Sequence, residues 1–337
     1  MHFDQNHSLL NYNTFGLDVK TKYFFEFDSE ENLIEALQHN DVKENLLLVI
    51  GQGSNLLFLN DFNGVVLHSA IRGIKLIEET EDAVLIEVGS GVIWDDLVAY
   101  CVQQRWSGIE NLSLIPGETG AAAIQNIGAY GVEFKDVVQK VKTIQIADGQ
   151  SCDFYLKACH YAYRESIFKK ELKGQYIVTS VLLRLSKKPL FNLSYNHLEN
   201  EVLKNGEINL ENIRKTIIQI RESKLPDPKV LGNAGSFFMN PVVSREIFES
   251  LQLHFPAMPH YYVSQQEEKI PAGWLIEQCG WKGRTIGNVG VHAKQALVLV
   301  NYGGAKGKEI AELAVMIQQS VANKFGINLI PEVNFIS

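Results

Sequence analysis

The sequence predicts an α+β fold, and three observations support this prediction. Short β-type runs separated by turn residues occur along much of the chain, for example at Leu46–Ile50 and Ala83–Gly89. Residues 94–105 and 210–224 instead repeat apolar side chains with a helical period. These strands and helices do not alternate strictly, as they would in a parallel α/β fold. Because 337 residues exceed the usual size of a single hydrophobic core, we expect two or three domains.

The first third of the chain is predicted to mix strands and helices. Residues 23–27 have the composition of a strand, and Ser29 then caps the acidic first turn of a helix. The buried strand Leu46–Ile50 follows, with further β-type runs after it. Residues 94–105 return to a helical period. One apolar stripe of that helix contains Trp94, Leu97, Val98 and Cys101.

The middle of the chain predicts a hairpin, a strand and an amphipathic helix before a linker. Residues 141–147 and 151–155 flank an Asp-Gly turn, which favours a β-hairpin. A strand at 176–185 and a helix at 210–224 follow, and the two prolines of LPDPKV then indicate a domain boundary near residue 226. The remaining chain predicts three helices and one strand. These are a helix capped by Ser244, one from Pro271 to Cys279, a strand at 296–301 and a helix at 308–325.

Composition excludes several classes of partner. The formal charge is −8, from 31 basic and 39 acidic residues, and no long basic run occurs, so nucleic acid is not an expected partner. An anionic ligand must then be bound by local cations and backbone donors. Residues 1–10 carry no secretory pattern, and no apolar stretch approaches the ~20 residues of a membrane span. We therefore expect a cytoplasmic protein without membrane attachment.

The cysteines and histidines do not predict a metal site. The four cysteines form no CxxC pair, so we expect them to be reduced and structural. The nine histidines are scattered, without the spacing of zinc ligands.

Residues 115–134, read as IPGETGAAAIQNIGAYGVEF, are unusually rich in glycine and alanine. Small residues allow a ligand to approach main-chain N–H and C=O groups closely. The polar side chains here suit a hydrogen-bonded ring system better than a metal or a polyanion; they are Thr119, Gln125, Asn126 and Tyr130. A packing seam of small residues between two layers of a domain is an equally good interpretation of this stretch alone.

A second glycine-containing string, residues 51–55, follows the buried strand Leu46–Ile50. It is not a dinucleotide-binding fingerprint, because Leu56 stands where the third glycine is required and no helix pattern follows. Its N–H groups, with Ser54 and Asn55, can form an anion-binding turn. A simple tight turn is the alternative. Residues 302–309 likewise lack the residues of a phosphate-binding loop and are interpreted as a helix start.

Three single residues are candidates for chemistry. Ser236 lies between a glycine and two phenylalanines with no activating histidine nearby in sequence, so it suits proton donation better than nucleophilic attack. A buried turn without a catalytic role is an equally good interpretation of this string alone. Arg164 can clamp a carboxylate, although an ordinary ion pair is the alternative. Glu332 follows Pro331 in an apolar strand pattern, where burial would make it a candidate acid and an exposed edge position would not.

Taken together, these strings resemble the UDP-N-acetylenolpyruvoylglucosamine reductase family over nearly the whole chain. The resemblance is carried, in order, by NTFGLD (13–18), GSNLLF (53–58), IPG and IQNIGAYG (115–131), YRES (163–166), GNAGSFF (232–238) and PEV (331–333). It implies a two-subdomain FAD-binding domain of the PCMH type, similar to vanillyl-alcohol oxidase, plus an α+β substrate domain. The first FAD-binding subdomain is implied to span residues 1–70, completed by 325–337, and the second to span residues 71–225. The substrate domain is implied to span residues 226–324.

The resemblance also implies an activity. NADPH would reduce non-covalently bound FAD, and the enolpyruvyl group of UDP-N-acetylglucosamine enolpyruvate would then be reduced to UDP-N-acetylmuramate for peptidoglycan. Arg164 matches the arginine that stabilises the enolate-like state, Ser236 the proton donor and Glu332 the assisting carboxyl group. The substrate contacts would be Tyr195, Lys224, Asn240 and Gln295, which implies the form with a tyrosine-bearing substrate loop. A monomer is expected.

The cofactor contacts implied by the resemblance lie in the two glycine-containing strings. They are Gly51, Gly53, Ser54, Asn55, Leu56, Ile115, Gly117, Thr119, Gly120, Ala121, Ile124, Gln125, Asn126, Gly128, Ala129 and Tyr130.

Two departures from the family pattern stand out. Met239 occupies a position where a lysine is expected, and PGETGAAA differs from the more usual residues before IQN. The alternatives to this function are another FAD-dependent oxidase or dehydrogenase of the same fold, which would lack the Ser236 and Glu332 pair, and a non-catalytic nucleotide-sugar-binding module, which would not require Arg164 in addition.

Overall fold

The computed structural model of the protein describes residues 2–337. The strands are β1 (Asp4–Ser8), β2 (Lys20–Phe27), β3 (Leu46–Ile50), β4 (Leu56–Phe58), β5 (Phe62–Ser69), β6 (Ile74–Glu79), β7 (Ala83–Gly89), β8 (Gly128–Ala129), β9 (Val132–Glu133), β10 (Val138–Gln145), β11 (Ser151–Tyr155), β12 (Tyr176–Ser186), β13 (Gly232–Ser236), β14 (Val242–Ser244), β15 (Tyr261–Tyr262), β16 (Glu267–Lys269), β17 (Thr285–Ile286), β18 (Val289–Val291), β19 (Val298–Asn301) and β20 (Asn334–Ile336). The helices are α1 (Glu30–Gln38), α2 (Asn40–Lys43), α3 (Trp94–Gln103), α4 (Thr119–Gln125), α5 (Leu198–Lys204), α6 (Leu210–Lys224), α7 (Arg245–His254), α8 (Ala272–Gln278) and α9 (Gly307–Phe325).

These elements form two compact units. The first unit contains the chain up to His7 together with Thr21–Gln52 and Asn63–Arg221. The second unit contains Ser8–Lys20, Gly53–Phe62 and Glu222–Ser337. No helix within the described part of the chain is both long enough and apolar enough to cross a membrane.

Two sheets form the framework of the first unit. One has the order β1-β2-β5-β3, and its parallel β3 and β5 place Ile50 opposite His68. The other is antiparallel, with the order β11-β10-β12-β7-β6. Helices α3 and α4 pack on the antiparallel sheet. The predicted apolar stripe of α3, from Trp94 to Cys101, is fully buried there, and Ala122 and Ala123 of α4 belong to the same core. A smaller cluster joins α5 to α6 through Leu198, Val202, Ile213 and Ile217.

The second unit is built around α8 and α9. Its largest sheet has the order β13-β19-β18-β17, and a second sheet has the order β14-β16-β15. The chain end returns to this unit, where β20 pairs in parallel with β4. Phe237 and Phe238 are buried in the same core as the two helices, so the strand that precedes them, β13, is anchored from its C-terminal end.

The predicted helices and strands are present, some with shifted ends, but α4, α5 and the strands β13 to β18 were not predicted. Those six strands have only two to five residues each, too few to show an alternating apolar pattern. Ser29 and Ser244 cap α1 and α7 as predicted, each accepting a hydrogen bond from a backbone N–H of the first turn. The predicted helix 94–105 ends earlier, at Gln103, because Arg105 adopts a φ of +61° and Trp106 N–H bonds back to the Cys101 carbonyl. This is a Schellman ending, here without the usual glycine.

Candidate functional site

The glycine-rich stretch forms α4 in the first unit. Thr119 donates its hydroxyl hydrogen to the Val92 carbonyl at 3.0 Å, and Gly120 N–H bonds to Ser90 O at 2.9 Å. A Cβ atom at Gly120 would lie 2.8 Å from the Cβ of Ser90. The packing-seam interpretation therefore explains this glycine, since a larger residue would push α4 off its neighbour. This packing does not test the predicted cofactor contacts along the segment, which stay a prediction.

The Asn126 side chain makes three hydrogen bonds inside the protein. This residue ends α4 in a left-handed conformation, with φ at +47°. Its amide nitrogen donates to the Glu133 carboxylate and to the Ala162 carbonyl, both at 2.9 Å, while its oxygen accepts from Lys135 N–H at 3.0 Å. An asparagine amide has two N–H donors, and both are used, so Asn126 has no side-chain donor left for a ligand.

The structure brings Arg164 to the end of this helix. Ala162 and Glu165 exchange two backbone hydrogen bonds of 3.1 Å, which places Arg164 at the tip of a tight turn. Its φ is +58°, a conformation that costs energy for a non-glycine residue and that occurs preferentially at functional sites. Ser166 then donates its hydroxyl hydrogen to Ile124 O at 2.6 Å, which ties this turn to α4.

Arg221 is a candidate site residue that the sequence interpretation missed. It lies on α6, its Nε is buried, and this atom has no hydrogen-bond partner. Burial lowers the pKa of Arg221, the charge of Arg164 lowers it further, and Tyr130 opposes the shift. The available signal was spacing: Arg221 precedes the predicted substrate residue Lys224 by three positions, which puts both on one helix face.

Two tyrosines from the predicted sites meet in the first unit. Tyr130, with a φ of +49°, and Tyr195 pack edge to face with ring centroids 5.8 Å apart. Asn111 fixes the backbone beneath them by donating to the carbonyls of Tyr130 and Asn192, both at 2.8 Å. Burial raises the pKa of Tyr130 and Arg221 opposes the shift, so Tyr130 remains a neutral phenol at physiological pH.

In the second unit, the turn that begins at Gly53 packs against the first residues of the NTFGLD motif. Gly53 has a φ of +64°, and a Cβ atom there would lie 2.0 Å from the Tyr12 carbonyl oxygen. Thr14 N–H bonds to Gly53 O at 3.4 Å, and the buried Thr14 hydroxyl has no hydrogen-bond partner. The turn therefore needs glycine, and it lies beside a buried polar oxygen whose hydrogen bond a ligand can complete.

Ser236 and Glu332 lie on neighbouring segments of the second unit. Glu332 N–H bonds to Phe237 O at 2.8 Å, and the Glu332 carbonyl accepts a hydrogen bond from the Asn55 side chain at 3.0 Å. Glu332 is half-buried. The predicted cofactor residue Asn55 thus also holds the segment before β20, which carries one of the predicted catalytic groups.

A β-bulge directs Ser236 outward. The pairing of β13 with β19 shifts register between Asn233 and Ser236, where Gly235 adopts a φ of +67°. Asn233 stabilises the bulge by accepting the Gly235 N–H at 2.9 Å. Ser236 is consequently exposed, while Phe237 after it is buried. Bulges commonly re-aim a side chain next to an active site.

The predicted substrate contacts of the second unit gather near the start of α8. The Asn240 side-chain oxygen accepts from Ala272 N–H at 2.9 Å. The Gln295 side-chain oxygen lies 3.1 Å from where a Cβ of Gly273 would stand. Sequence interpretation missed one nearby residue, His292. Its Nδ1 is buried without a partner, and burial first and then Lys294 lower its pKa, so it is neutral at pH 7.

In each unit, taken by itself, the polar groups fit parts of a flavin cofactor better than a metal ion. Residues 2–337 contain no group of three or more His, Cys, Asp or Glu side chains with metal-site geometry. What they do contain is buried hydrogen-bonding atoms without partners, Thr14 Oγ1 and Arg221 Nε, close to predicted cofactor segments. Neutral and cationic groups of this kind match the carbonyl, ring nitrogen and diphosphate acceptors of FAD.

Comparison with known proteins assigns both halves of the chain. A family described as "FAD binding domain" matches residues 21–154, and "UDP-N-acetylenolpyruvoylglucosamine reductase, C-terminal domain" matches residues 227–336. The UDP-N-acetylenolpyruvoylglucosamine reductase of Bacteroides fragilis is 51% identical over 333 residues, covering 99% of this chain and 100% of the relative. The chain belongs to the UDP-N-acetylenolpyruvoylglucosamine reductase family.

Solved structures agree on the fold of this reductase. The enzyme of that name from Thermus caldophilus is 22% identical, with a TM-score of 0.69 and full coverage of both chains. The 4-ethylphenol oxidase of Gulosibacter chungangensis is 11% identical, with a TM-score of 0.51 over 93% of this chain and 82% of the other. The predicted α+β class, the flavin-binding fold and the family membership are confirmed.

Proposed function

We propose that this reductase uses FAD and NADPH to convert UDP-N-acetylglucosamine enolpyruvate to UDP-N-acetylmuramate, a precursor of peptidoglycan. The observation that carries the proposal is the arrangement of Ser236 and Glu332 in the second unit of a chain with an FAD-binding domain. An alcohol oxidase of the same fold has no need of a proton donor on a bulged strand. A module that only binds a nucleotide sugar has no need of a carboxyl group such as Glu332 next to the segment that carries Ser236.

Reduction of the enolpyruvyl double bond adds a hydride to its outer carbon and a proton to its inner carbon. Bound FAD would supply the hydride that it has accepted from NADPH. Ser236 Oγ holds the proton for the inner carbon, which suits an exposed hydroxyl on a rigid strand. Glu332 assists by accepting a hydrogen bond or restoring the serine proton. A well-positioned acid contributes ~10²–10⁴-fold to such a step.

Negative charge develops on the substrate carboxylate as hydride adds, and Arg164 is the group proposed to stabilise it. A guanidinium can bind both carboxylate oxygens at once. Two backbone hydrogen bonds between Ala162 and Glu165 fix the turn from which Arg164 projects, and preorganised charge is most effective in the transition state. Arg221, whose charge already acts on Arg164, adds a second cation to the anion-binding surface of the first unit.

The UDP portion is proposed to bind through Tyr195, Lys224, Asn240 and Gln295. Lys224 is exposed and provides a local cation, which an acidic chain of net charge −8 requires for a diphosphate. Asn240 and Gln295 are loop residues beside the first residues of α8, and the hydrogen bond from Ala272 N–H orients the Asn240 amide.

An anaerobic absorbance experiment tests the proposal. The purified protein should show the yellow flavin band, NADPH should bleach it, and UDP-N-acetylglucosamine enolpyruvate should then restore it. A band that bleaches without recovering would contradict the proposed substrate but would still support reduction of a bound flavin by NADPH. A protein that shows no band even after incubation with FAD would contradict the cofactor, and the non-catalytic alternative would then be preferred.

A further inference from the structure

The departure PGETGAAA contains a buried acid that the proposed reaction does not use. Glu118 directly precedes α4 and is only 3% exposed. Its backbone forms a β-bridge with Ile93. Its carboxylate Oε2 lies 2.9 Å from where a Cβ of Gly51 would stand, so the acid packs directly against the other glycine-containing string of the first unit. Glu118 therefore touches both segments of this unit that are predicted to contact FAD.

A buried histidine pairs with this acid. His68, on β5, lies between two carboxylates: its Nε2 is 3.2 Å from Glu118, and its Nδ1 is 2.7 Å from Glu26 on β2. A neutral imidazole carries one N–H and can donate to only one of them. Both contacts are hydrogen bonds when His68 is an imidazolium between two carboxylates, or when one carboxyl group is protonated and donates to a neutral imidazole. The geometry therefore assigns one proton more to this group than a neutral imidazole and two carboxylates hold.

The surrounding charges support the same assignment. Arg72 Nη1 is 3.9 Å from Glu118. The Phe24 ring stacks with both His68 and His7, and His7 pairs with Asp4. When His68 is protonated, the positive charges of His68 and Arg72 balance the negative charges of Glu26 and Glu118. When His68 is neutral, only Arg72 remains positive and the group has a net charge of −1. Burial disfavours the charged imidazole, but the two carboxylates outweigh it and raise the pKa of His68.

We propose that protonated His68 and Glu118 form a positioning pair that holds the FAD-binding segments together and makes FAD affinity depend on pH. The pair joins the end of β5 to the start of α4 and to Gly51. Loss of the proton removes one of the two hydrogen bonds of His68 and leaves an excess negative charge beside segments that must receive an anionic dinucleotide. The inference rests on the proposed FAD function of these segments.

The sign of the effect follows from the raised pKa. FAD binding should be strongest below the pKa of His68 in the free protein and should weaken as the pH rises through it. By linkage, the affinity falls by up to about tenfold per pH unit until the pKa of the complex is reached.

The test is a fluorescence titration of the flavin-free full-length protein with FAD between pH 6 and pH 9.5. The wild type should lose affinity by at least about tenfold across this range. His68→Gln combined with Glu118→Gln keeps hydrogen bonding but removes both charges, so its affinity should vary less with pH. His39→Gln is the matched control, because His39 pairs with Asp41 on the surface of the same unit, and it should behave as the wild type.

A second measurement does not depend on a folded double variant. The pKa of His68 in the wild type, followed by NMR of its ring, should be higher with saturating FAD than without it, because linkage is reciprocal. An unchanged pKa, or the same pH profile in the wild type and the double variant, would overturn the positioning role. A wild type that binds no FAD at any pH would instead contradict the proposed function.

Discussion

Ser236 is the residue on which the proposed chemistry depends most directly. Replacing it with alanine should leave NADPH-driven flavin reduction unchanged and slow the reoxidation by the enolpyruvyl substrate by ~10²–10⁴-fold, because only the second half-reaction needs a proton at carbon. Anaerobic stopped-flow absorbance separates the two steps. Ser250→Ala, an exposed serine on α7, is the matched control. Equal slowing of both half-reactions would contradict the role of Ser236.

Arg221 offers a test of charge in a buried position. Arginine keeps its proton despite a lowered pKa, whereas a lysine loses its proton readily when it is buried. Arg221→Lys should therefore retain activity at low pH and lose substrate affinity as the pH rises towards 9, while the wild type does not. The measurement is KM for the enolpyruvyl substrate against pH. If the KM of the variant shows the same pH profile as that of the wild type, Arg221 does not belong to the anion-binding surface.

Residue type predicted hydrogen-bonding capacity but not the partner. Asn13, in the NTFGLD motif, uses its side chain entirely on Leu9 and Leu17. Asn126 is occupied in the same way, whereas Asn55 reaches the backbone of Glu332. All three asparagines lie in strings that carry the family resemblance. Nothing in the local sequence distinguishes the roles of their side chains, because the folded chain decides which hydrogen-bond partner each side chain meets.

The link between α3 and α6 is the clearest electrostatic contact between elements. Asp95 accepts two hydrogen bonds from the Arg214 guanidinium, at 2.6 and 2.9 Å, and one from Leu114 N–H. Burial raises the pKa of Asp95, but Arg214 and Leu114 outweigh it, so the pKa lies below its usual range. The stabilisation from this carboxylate is complete above the unfolded-state pKa of ~3.9 and is lost as the pH falls through the folded-state value.

Asp95→Asn should lower the free energy of unfolding by ~1–3 kcal/mol at pH 7, because it leaves the partly buried Arg214 without its charge partner. The difference from the wild type should shrink as the pH falls from 5 towards 2. Urea denaturation at several pH values measures it. Asp82→Asn, which breaks an exposed pair with Lys188, should change stability by less than ~0.5 kcal/mol. Equal effects of the two variants would contradict this account.

The longer helices and strands were predictable at the scale of elements, because the apolar period and the caps are local. The short strands β13 to β18 were not, because they contain too few residues to show a period. Helix α6 has the predicted bounds, and Ser29 and Ser244 were identifiable as caps from the acidic turns that follow them. The end of α3 was not predictable to the residue. Its Schellman turn uses Arg105, which costs more than glycine in that conformation, so the usual stop signal is absent.

FAD should stabilise the whole molecule by mass action. A ligand that binds only the folded state adds about 2.7 kcal/mol to the free energy of unfolding at one hundred times its Kd. Adding FAD to the flavin-free protein should therefore raise the midpoint of thermal unfolding, progressively with concentration. Differential scanning calorimetry measures the shift, with riboflavin, which lacks the diphosphate, as the weaker comparison ligand. An unchanged midpoint at high FAD concentration would argue against a flavin site.

The sequence by itself determined the α+β class, the longer strands and helices and, through the ordered strings from NTFGLD to PEV, the family. These are local patterns, and neighbouring residues encode them. Tertiary structure decided which groups meet. Asn55 contacts Glu332 across 277 positions, and His68 contacts Glu118 across 50. Such contacts depend on how the folded chain closes on itself, so spacing along the sequence does not reveal them.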